Sequence, residues 1–134
     1  MGAGSFIDER GQRVAIEMFG PAGREILESS MQEWTERLDA DWCHAVCDFS
    51  INGIYTRNEL PTALRELCAV ASLTVMQETE ALAAHIRISL GIHPPTVVRG
   101  VILQMAVVAG IPIAVKGLRV FERVVAENLP PTPM

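Results

Sequence analysis

The chain has 134 residues, of which 49% are hydrophobic, enough for one domain with a sizeable core. Its eleven Lys and Arg residues are scattered, and the net charge of -5 disfavours nucleic acids and other polyanions as partners. The N-terminus has no long apolar core, and Arg99 and Gln104 interrupt the most apolar later stretch. We therefore expect a soluble cytoplasmic protein that does not enter a membrane.

Helical spacing of apolar residues between turn signals predicts an all-α fold, a single-domain bundle of about six helices over residues 1–134. Asp41 is the expected N-cap of the second helix, Gly91 the expected left-handed cap after the fourth, and residues 129–134 a frayed tail. In chain order, the predicted helices cover "AGREILESSMQEWTERL", "DWCHAVCDFSINGIY", "LCAVASLTVM", "ETEALAAHIRISLG", "TVVRGVILQMAVVAG" and "IAVKGLRVFERVVAENL".

Three of the predicted helices carry apolar residues around most of their circumference, so they should be covered on all sides. A monomer of this size cannot cover that much apolar surface. Burial in subunit contacts is the simplest solution, and we expect a homo-oligomer.

The cysteines Cys43, Cys47 and Cys68 form neither an even disulfide framework nor a CxxC motif, which suits a reducing compartment. Cys43 and Cys47 share a helix face, but that face offers too few ligands for zinc. Two packed thiols are favoured, and no metal is expected.

His85 lies among small and aliphatic residues in the fourth predicted helix, on one mostly apolar side with Glu78. Histidine transfers protons near neutral pH, and a nearby carboxylate would assist it. Glu78 lies two turns before it, and Glu66 lies near the start of the preceding helix. Spacing alone leaves open whether this histidine is structural or catalytic.

Other polar and aromatic residues are candidates for substrate binding. Arg57 stands near a helix boundary and could hold a substrate carboxylate by bidentate contact. Gln104 is the only polar side chain between Val101 and Ala109, and could bridge helices or point into a pocket. Trp42 and Tyr55 could line a pocket or belong to the core.

No GxGxxG, phosphate-loop, HExxH or GxSxG motif is present in the sequence. Cofactor binding therefore has no support from the residues, and we expect none.

The segments "GIYTRNELPTALRELCAVASL", "EALAAHIRISLGI" and "ILQMAVVAGIPIAV" resemble, in order and spacing, the carboxymuconolactone decarboxylase family. The resemblance extends from about residue 11 to residue 128. It implies a small all-helical protein that assembles into trimers or hexamers. It also implies loss of carbon dioxide from γ-carboxymuconolactone, to give β-ketoadipate enol-lactone, without metal or organic cofactor.

The alkylhydroperoxidase-like branch of that family carries a CxxC motif at the positions matching Glu78 and Ala81, so thiol peroxidase chemistry is excluded at this site. In that branch a glutamate near the position of Glu66 forms a proton relay with the histidine matching His85. Tyr55 and Val108 depart from the decarboxylases, which usually have tryptophan and tyrosine there. These departures leave the substrate open.

The sequence thus predicts a cofactor-independent decarboxylase acting on γ-carboxymuconolactone or a related unsaturated lactone or keto acid. His85 would be the proton donor or oxyanion contact. One alternative is an isomerase or cyclase that transfers a proton beside a carbonyl. Another is a non-catalytic oligomeric binding protein, in which both nitrogens of a tightly packed His85 would bond to backbone. The predicted catalytic residues are His85, Glu66 and Glu78, and the predicted substrate-binding residues are Arg57, Tyr55, Gln104 and Trp42.

Overall fold

The computed structural model describes residues 4–127, which form seven α-helices and one short 3₁₀ helix without any strand. The predicted all-α fold is confirmed. The helices are α1 (Glu9–Phe19), α2 (Gly23–Arg37), α3 (Ala40–Phe49), the 3₁₀ helix (Ile54–Thr56), α4 (Thr62–Met76), α5 (Thr79–Leu90), α6 (Pro95–Ala109) and α7 (Ile111–Glu127).

Helix α1 is the element that the sequence prediction missed. Its first turn is capped by Asp8, whose side chain accepts a hydrogen bond from the N–H of Gly11 at 3.1 Å. Val14, Ala15 and Met18 recur at helical spacing and are all buried. This amphipathic pattern is present in the sequence and was the available signal for the helix.

Two predicted helix caps are wrong. Helix α3 is capped by Asp39 rather than Asp41, because the Asp39 side chain accepts the N–H of Trp42 at 2.8 Å. Gly91 has φ -77° and ψ -14°, which is a right-handed conformation. The chain continues past α5 in a further turn, in which the N–H of Gly91 donates to the carbonyl of Ile88. The predicted frayed tail, residues 129–134, lies outside the described residues.

Contacts divide the chain into two compact units, the first ending at Arg65 and the second beginning at Glu66. In the first unit, α1 packs on α2 and α2 packs on α3. The thiols of Cys43 and Cys47, which were expected to be packed, lie in its core. Burial is the main cause that raises the pKa of Cys47 to about 11, and the charge interaction with Cys43 is the second cause. The buried apolar residues of this core are Phe6, Ile7, Ala15, Leu27, Cys43 and Cys47.

Two polar side chains fix the N-terminal segment of the first unit. Asn52 is fully buried, donates to the Phe6 carbonyl at 2.8 Å and accepts the N–H of Asp8 at 3.0 Å. The Glu28 carboxylate accepts the N–H groups of Phe6 and Ile7 at 3.0 and 2.8 Å. These bonds replace the water that the buried backbone has lost.

In the second unit, α7 packs against both α5 and α6. A side chain at Gly117 would place a Cβ 2.8 Å from Thr74 and 2.9 Å from Ile102, so the absence of one lets α4, α6 and α7 approach closely. The core consists of Val70, Leu82, Ala83, Ile86, Val98, Ile102, Val120, Phe121 and Val124.

Within one chain, the apolar helices α4 and α6 are not covered on all sides. Val107 is 77% exposed, and Val108 and Ile111 are exposed beside it in sequence. Among the residues described, no helix has both the length and the apolar character required to cross a membrane.

Replacing Gly23 with Ala should destabilise the first unit. The added Cβ would lie 2.0 Å from the backbone oxygen of Ala15, an atom that can move only if α1 shifts against α2. We expect the free energy of unfolding in urea to fall by about 3 kcal/mol. The control is Ser29→Ala, an exposed position in the same helix, which should change it by less than about 0.5 kcal/mol. Equal stability of the two variants would contradict the close approach.

Acid should weaken the hydrogen bonds by which the Glu28 carboxylate holds the N–H groups of Phe6 and Ile7. Burial favours the neutral carboxyl, but hydrogen bonds from Ser5, Ile7 and Phe6, with the charge of Arg24, outweigh it and lower the pKa of Glu28 below its usual 4.5. The stabilisation is therefore present above pH 4.5 and is lost as the pH falls through the lowered folded-state pKa.

Glu28→Gln should lower the free energy of unfolding by about 1 kcal/mol at pH 7 and flatten its decline below about pH 4.5. Urea titrations over a pH series measure both effects. Glu36→Gln, an exposed carboxyl on the same helix, is the control and should leave the acid decline intact. An acid decline that is as steep in Glu28→Gln as in the parent protein would refute this role of the Glu28 carboxylate.

Candidate functional site

The second unit contains a contact between a histidine and a buried carboxylate. Glu66 lies in α4 and its side chain is fully buried. The His85 Nδ1, from α5, lies 2.7 Å from the Glu66 Oε2. Burying a carboxylate costs several kcal/mol unless a donor or a positive charge compensates it. His85 supplies such a group at hydrogen-bond distance.

His85 lies on a partly covered side of α5. Its side chain is 30% exposed. At 100° per residue, Ile88 and Ser89 fall on either side of it, and both are buried. The solvent-facing side of the helix carries Ala84 and Arg87 instead. Water and small molecules therefore reach the imidazole between covered positions.

The contact assigns different roles to the two ring nitrogens. Among the described residues, Glu66 is the hydrogen-bond partner of the ring, through Nδ1. When Nδ1–H donates to the carboxylate, Nε2 is an acceptor in the neutral ring and a donor in the protonated ring. The arrangement can thus accept a proton at Nε2, or deliver one, while Glu66 stabilises the charged form.

Glu78, the other carboxylate proposed for this histidine, is placed elsewhere. It precedes α5 as an exposed N-cap with ψ 82°, so the helix whose spacing would align it with His85 has not yet begun. No hydrogen bond or ion pair joins Glu78 to His85 in the described part of the chain. Of the two candidates, Glu66 is the one that the structure brings to His85.

Gln104 lies exposed on α6, so the buried amide expected from the sequence is at the surface of the chain. Helix α6 is buried along the line of Val98 and Ile102, and Gln104 falls on another side of the helix.

The remaining predicted site residues belong to the first unit. Tyr55 is half-buried in the 3₁₀ helix, with the Arg65 guanidinium 5.7 Å from its ring centroid. Arg57 is exposed and its side chain bonds to Glu59. Trp42 is nearly half exposed on α3.

Arg65 directly precedes Glu66 in α4. Its Nε donates to the carbonyl of Leu60 at 2.8 Å, and its Nη2 donates to the carbonyl of Arg57 at 3.2 Å. The side chain reaches the loop before α4 and binds backbone oxygens there.

Ser89 is a polar neighbour of His85 in sequence that the site prediction did not include. It is fully buried, and its hydroxyl makes no hydrogen bond within residues 4–127. Its position one turn after His85 was the available signal, since residues four apart lie on one helix face.

The described residues contain no group of three or more His, Cys, Asp or Glu side chains able to hold a metal ion. Comparison with models of known protein families and with curated proteins gives no match for this chain. The family resemblance therefore stays a prediction.

Proposed function

We propose that this chain is a cofactor-independent decarboxylase acting on γ-carboxymuconolactone or a related unsaturated lactone or keto acid. The observation that carries the proposal is the 2.7 Å contact between His85 Nδ1 and the buried Glu66 carboxylate. It gives a histidine with one nitrogen held and the ring partly accessible, as proton transfer requires. The sequence resemblance supplies the reaction and the substrate class.

The reaction needs a proton donor after the carbon–carbon bond breaks. The substrate carboxylate leaves as carbon dioxide, and the bonding electron pair delocalises into the conjugated carbonyl as a dienolate. Nε2 of protonated His85 then delivers a proton to carbon, or first donates a hydrogen bond to the oxyanion. Glu66 stabilises the imidazolium through Nδ1 until the proton leaves.

Arg57 is the proposed anchor for a substrate carboxylate. Its exposed side chain is paired with Glu59, also exposed, and exposed pairs of this kind contribute little to stability. The guanidinium can therefore exchange its partner for a substrate carboxylate at low cost, with two parallel hydrogen bonds. For Tyr55 and Gln104, a substrate contact stays a prediction from the sequence.

The environment of His85 favours chemistry over the non-catalytic alternative. A purely structural histidine was expected to be tightly packed, with both nitrogens bonded to backbone. Instead, Nδ1 lies against a carboxylate and the side chain is 30% exposed. The isomerase or cyclase alternative uses the same groups, so only the reaction products separate it from a decarboxylase.

Replacing His85 with Asn should lower kcat on γ-carboxymuconolactone by about 100-fold or more, because the general acid is removed. Glu66→Gln should lower kcat by at least about tenfold, because a neutral amide stabilises the imidazolium less than a carboxylate does. The matched control is Glu80→Gln, an exposed position on α5, which should keep full activity. Carbon dioxide release and NMR of the product measure turnover.

Full activity of His85→Asn would show that another residue is the acid. An isomeric product formed without carbon dioxide would establish the isomerase alternative instead. Absence of turnover of both γ-carboxymuconolactone and related unsaturated keto acids by the folded protein would reject the decarboxylase.

We further propose that the chain forms a homo-oligomer, a trimer or hexamer, in the cytoplasm. Exposed apolar side chains around the junction of α6 and α7, with Val107 at 77%, support burial against other copies. The free thiols of Cys43, Cys47 and Cys68 suit a reducing compartment.

The double substitution Val107→Glu and Val108→Glu should reduce the particle mass from that of a trimer or hexamer to that of one chain. Each new carboxylate would lose its water in the contact between copies. Light scattering after gel filtration measures the mass. Ala84→Glu, an exposed substitution on α5, is the control and should leave the assembly unchanged. A parent protein that already has the mass of one chain at micromolar concentration would contradict the assembly.

A further inference from the structure

The first unit carries an exposed apolar surface that its own core does not use. We name Trp34, Leu38, Trp42 and Phe49 the aromatic patch. Phe49 is 72% and Leu38 61% exposed, and the two tryptophans are nearly half exposed. None of the four belongs to the buried cluster of the first unit.

The patch is continuous across two helices. Trp34 of α2 and Trp42 of α3 stack with ring centroids 6.1 Å apart and planes 14° from parallel. Phe49 follows Trp42 by seven residues, so both lie on one side of α3. The buried thiols Cys43 and Cys47 lie on another side of the same helix. The exposed rings are therefore not displaced core residues.

The stretch of chain that carries the patch is rich in exposed acidic side chains. Residues 33–49 contain five acidic residues and one arginine, Arg37. The acidic residues are Glu33, Glu36, Asp39, Asp41 and Asp48, all exposed. Asp41 and Asp48 each directly precede a patch residue of α3, so they form a row beside the apolar stripe.

This charge determines the class of partner. Nucleic acid and anionic lipid surfaces are repelled by a row of carboxylates. Two copies of the patch placed face to face would also bring like charges together. A surface with exposed tryptophan and phenylalanine beside a row of carboxylates is complementary to apolar side chains flanked by Lys or Arg.

We infer that the aromatic patch docks a basic amphipathic helix of a partner protein. The stripe from Trp42 to Phe49 is about 10 Å long at 1.5 Å per residue, which matches two turns of a docked helix. Apolar side chains of that helix cover Phe49 and Leu38, and its Lys or Arg side chains face Asp41 and the tryptophan rings. Trp42, predicted from the sequence as a substrate contact, is assigned to this surface.

The two tryptophans in the chain are both in the patch, so fluorescence excited at a wavelength that Tyr55 does not absorb reports on it. The probe is a synthetic amphipathic helix of Leu and Lys, with a Leu and Glu peptide of the same pattern for comparison. Titrating the full chain with the Lys peptide should give a saturable blue shift that weakens with added salt. The Glu peptide should give none.

Variants locate the binding. Phe49→Ser and Leu38→Ser should each lower the affinity for the Lys peptide about tenfold, because each removes a central apolar contact. Ile16→Ser, an exposed apolar position on α1 of the same unit, is the matched control and should change the affinity less than about twofold. Circular dichroism establishes that each variant is folded.

Three results would overturn the inference. The first is the absence of a saturable shift with the Lys peptide, and the second is equal binding of the Lys and Glu peptides. The third is a change in the particle mass of the free protein in Phe49→Ser, which would make the patch a contact between copies of this chain. A folded parent protein that binds the peptide but turns over no substrate would refute the decarboxylase alone.

Discussion

A carboxylate without access to water must keep a compensating neighbour, and this constraint joins α4 to α5 in the second unit. Glu66 is buried and lies 2.7 Å from the ring of His85. Val70, one turn after Glu66, belongs to the same apolar cluster as Leu82 and Ile86, which flank His85 in sequence. Apolar residues of both helices thus belong to one cluster beside the polar contact, and removal of His85 would take a compensating group away from the buried carboxylate.

The fold was largely predictable from local patterns in the sequence. Apolar spacing and the turn signals around proline and glycine indicated six of the seven α-helices, because amphipathic periodicity is a property of neighbouring residues. Helix α1 was not predicted. The segment that leads into it is held by hydrogen bonds of Asp8, Asn52 and Glu28, and the last two are distant in sequence. The cap at Asp39 was misplaced by two residues, since two aspartates compete there and only geometry chooses between them.

The site was predictable in composition and only partly in pairing. His85 was identified from its unusual apolar surroundings. Its partner was left open between Glu66 and Glu78, because a contact across 19 residues depends on how two helices pack. Gln104 was expected to be buried from an apolar sequence around it, but apolar neighbours in a helix do not establish which side faces the core. Helix α6 is apolar around most of its circumference, so periodicity alone does not separate its buried side from the side that carries the exposed Val107 and Val108.

The central claim is that Glu66 holds Nδ1 of His85 and leaves Nε2 for proton transfer. Long-range proton–nitrogen NMR of the ring, recorded across a pH series in the parent protein and in Glu66→Gln, tests it most directly. We predict that the neutral ring of the parent carries its proton on Nδ1, and that the amide variant loses this preference. A neutral ring protonated at Nε2, with a spectrum indifferent to the substitution, would contradict the claim.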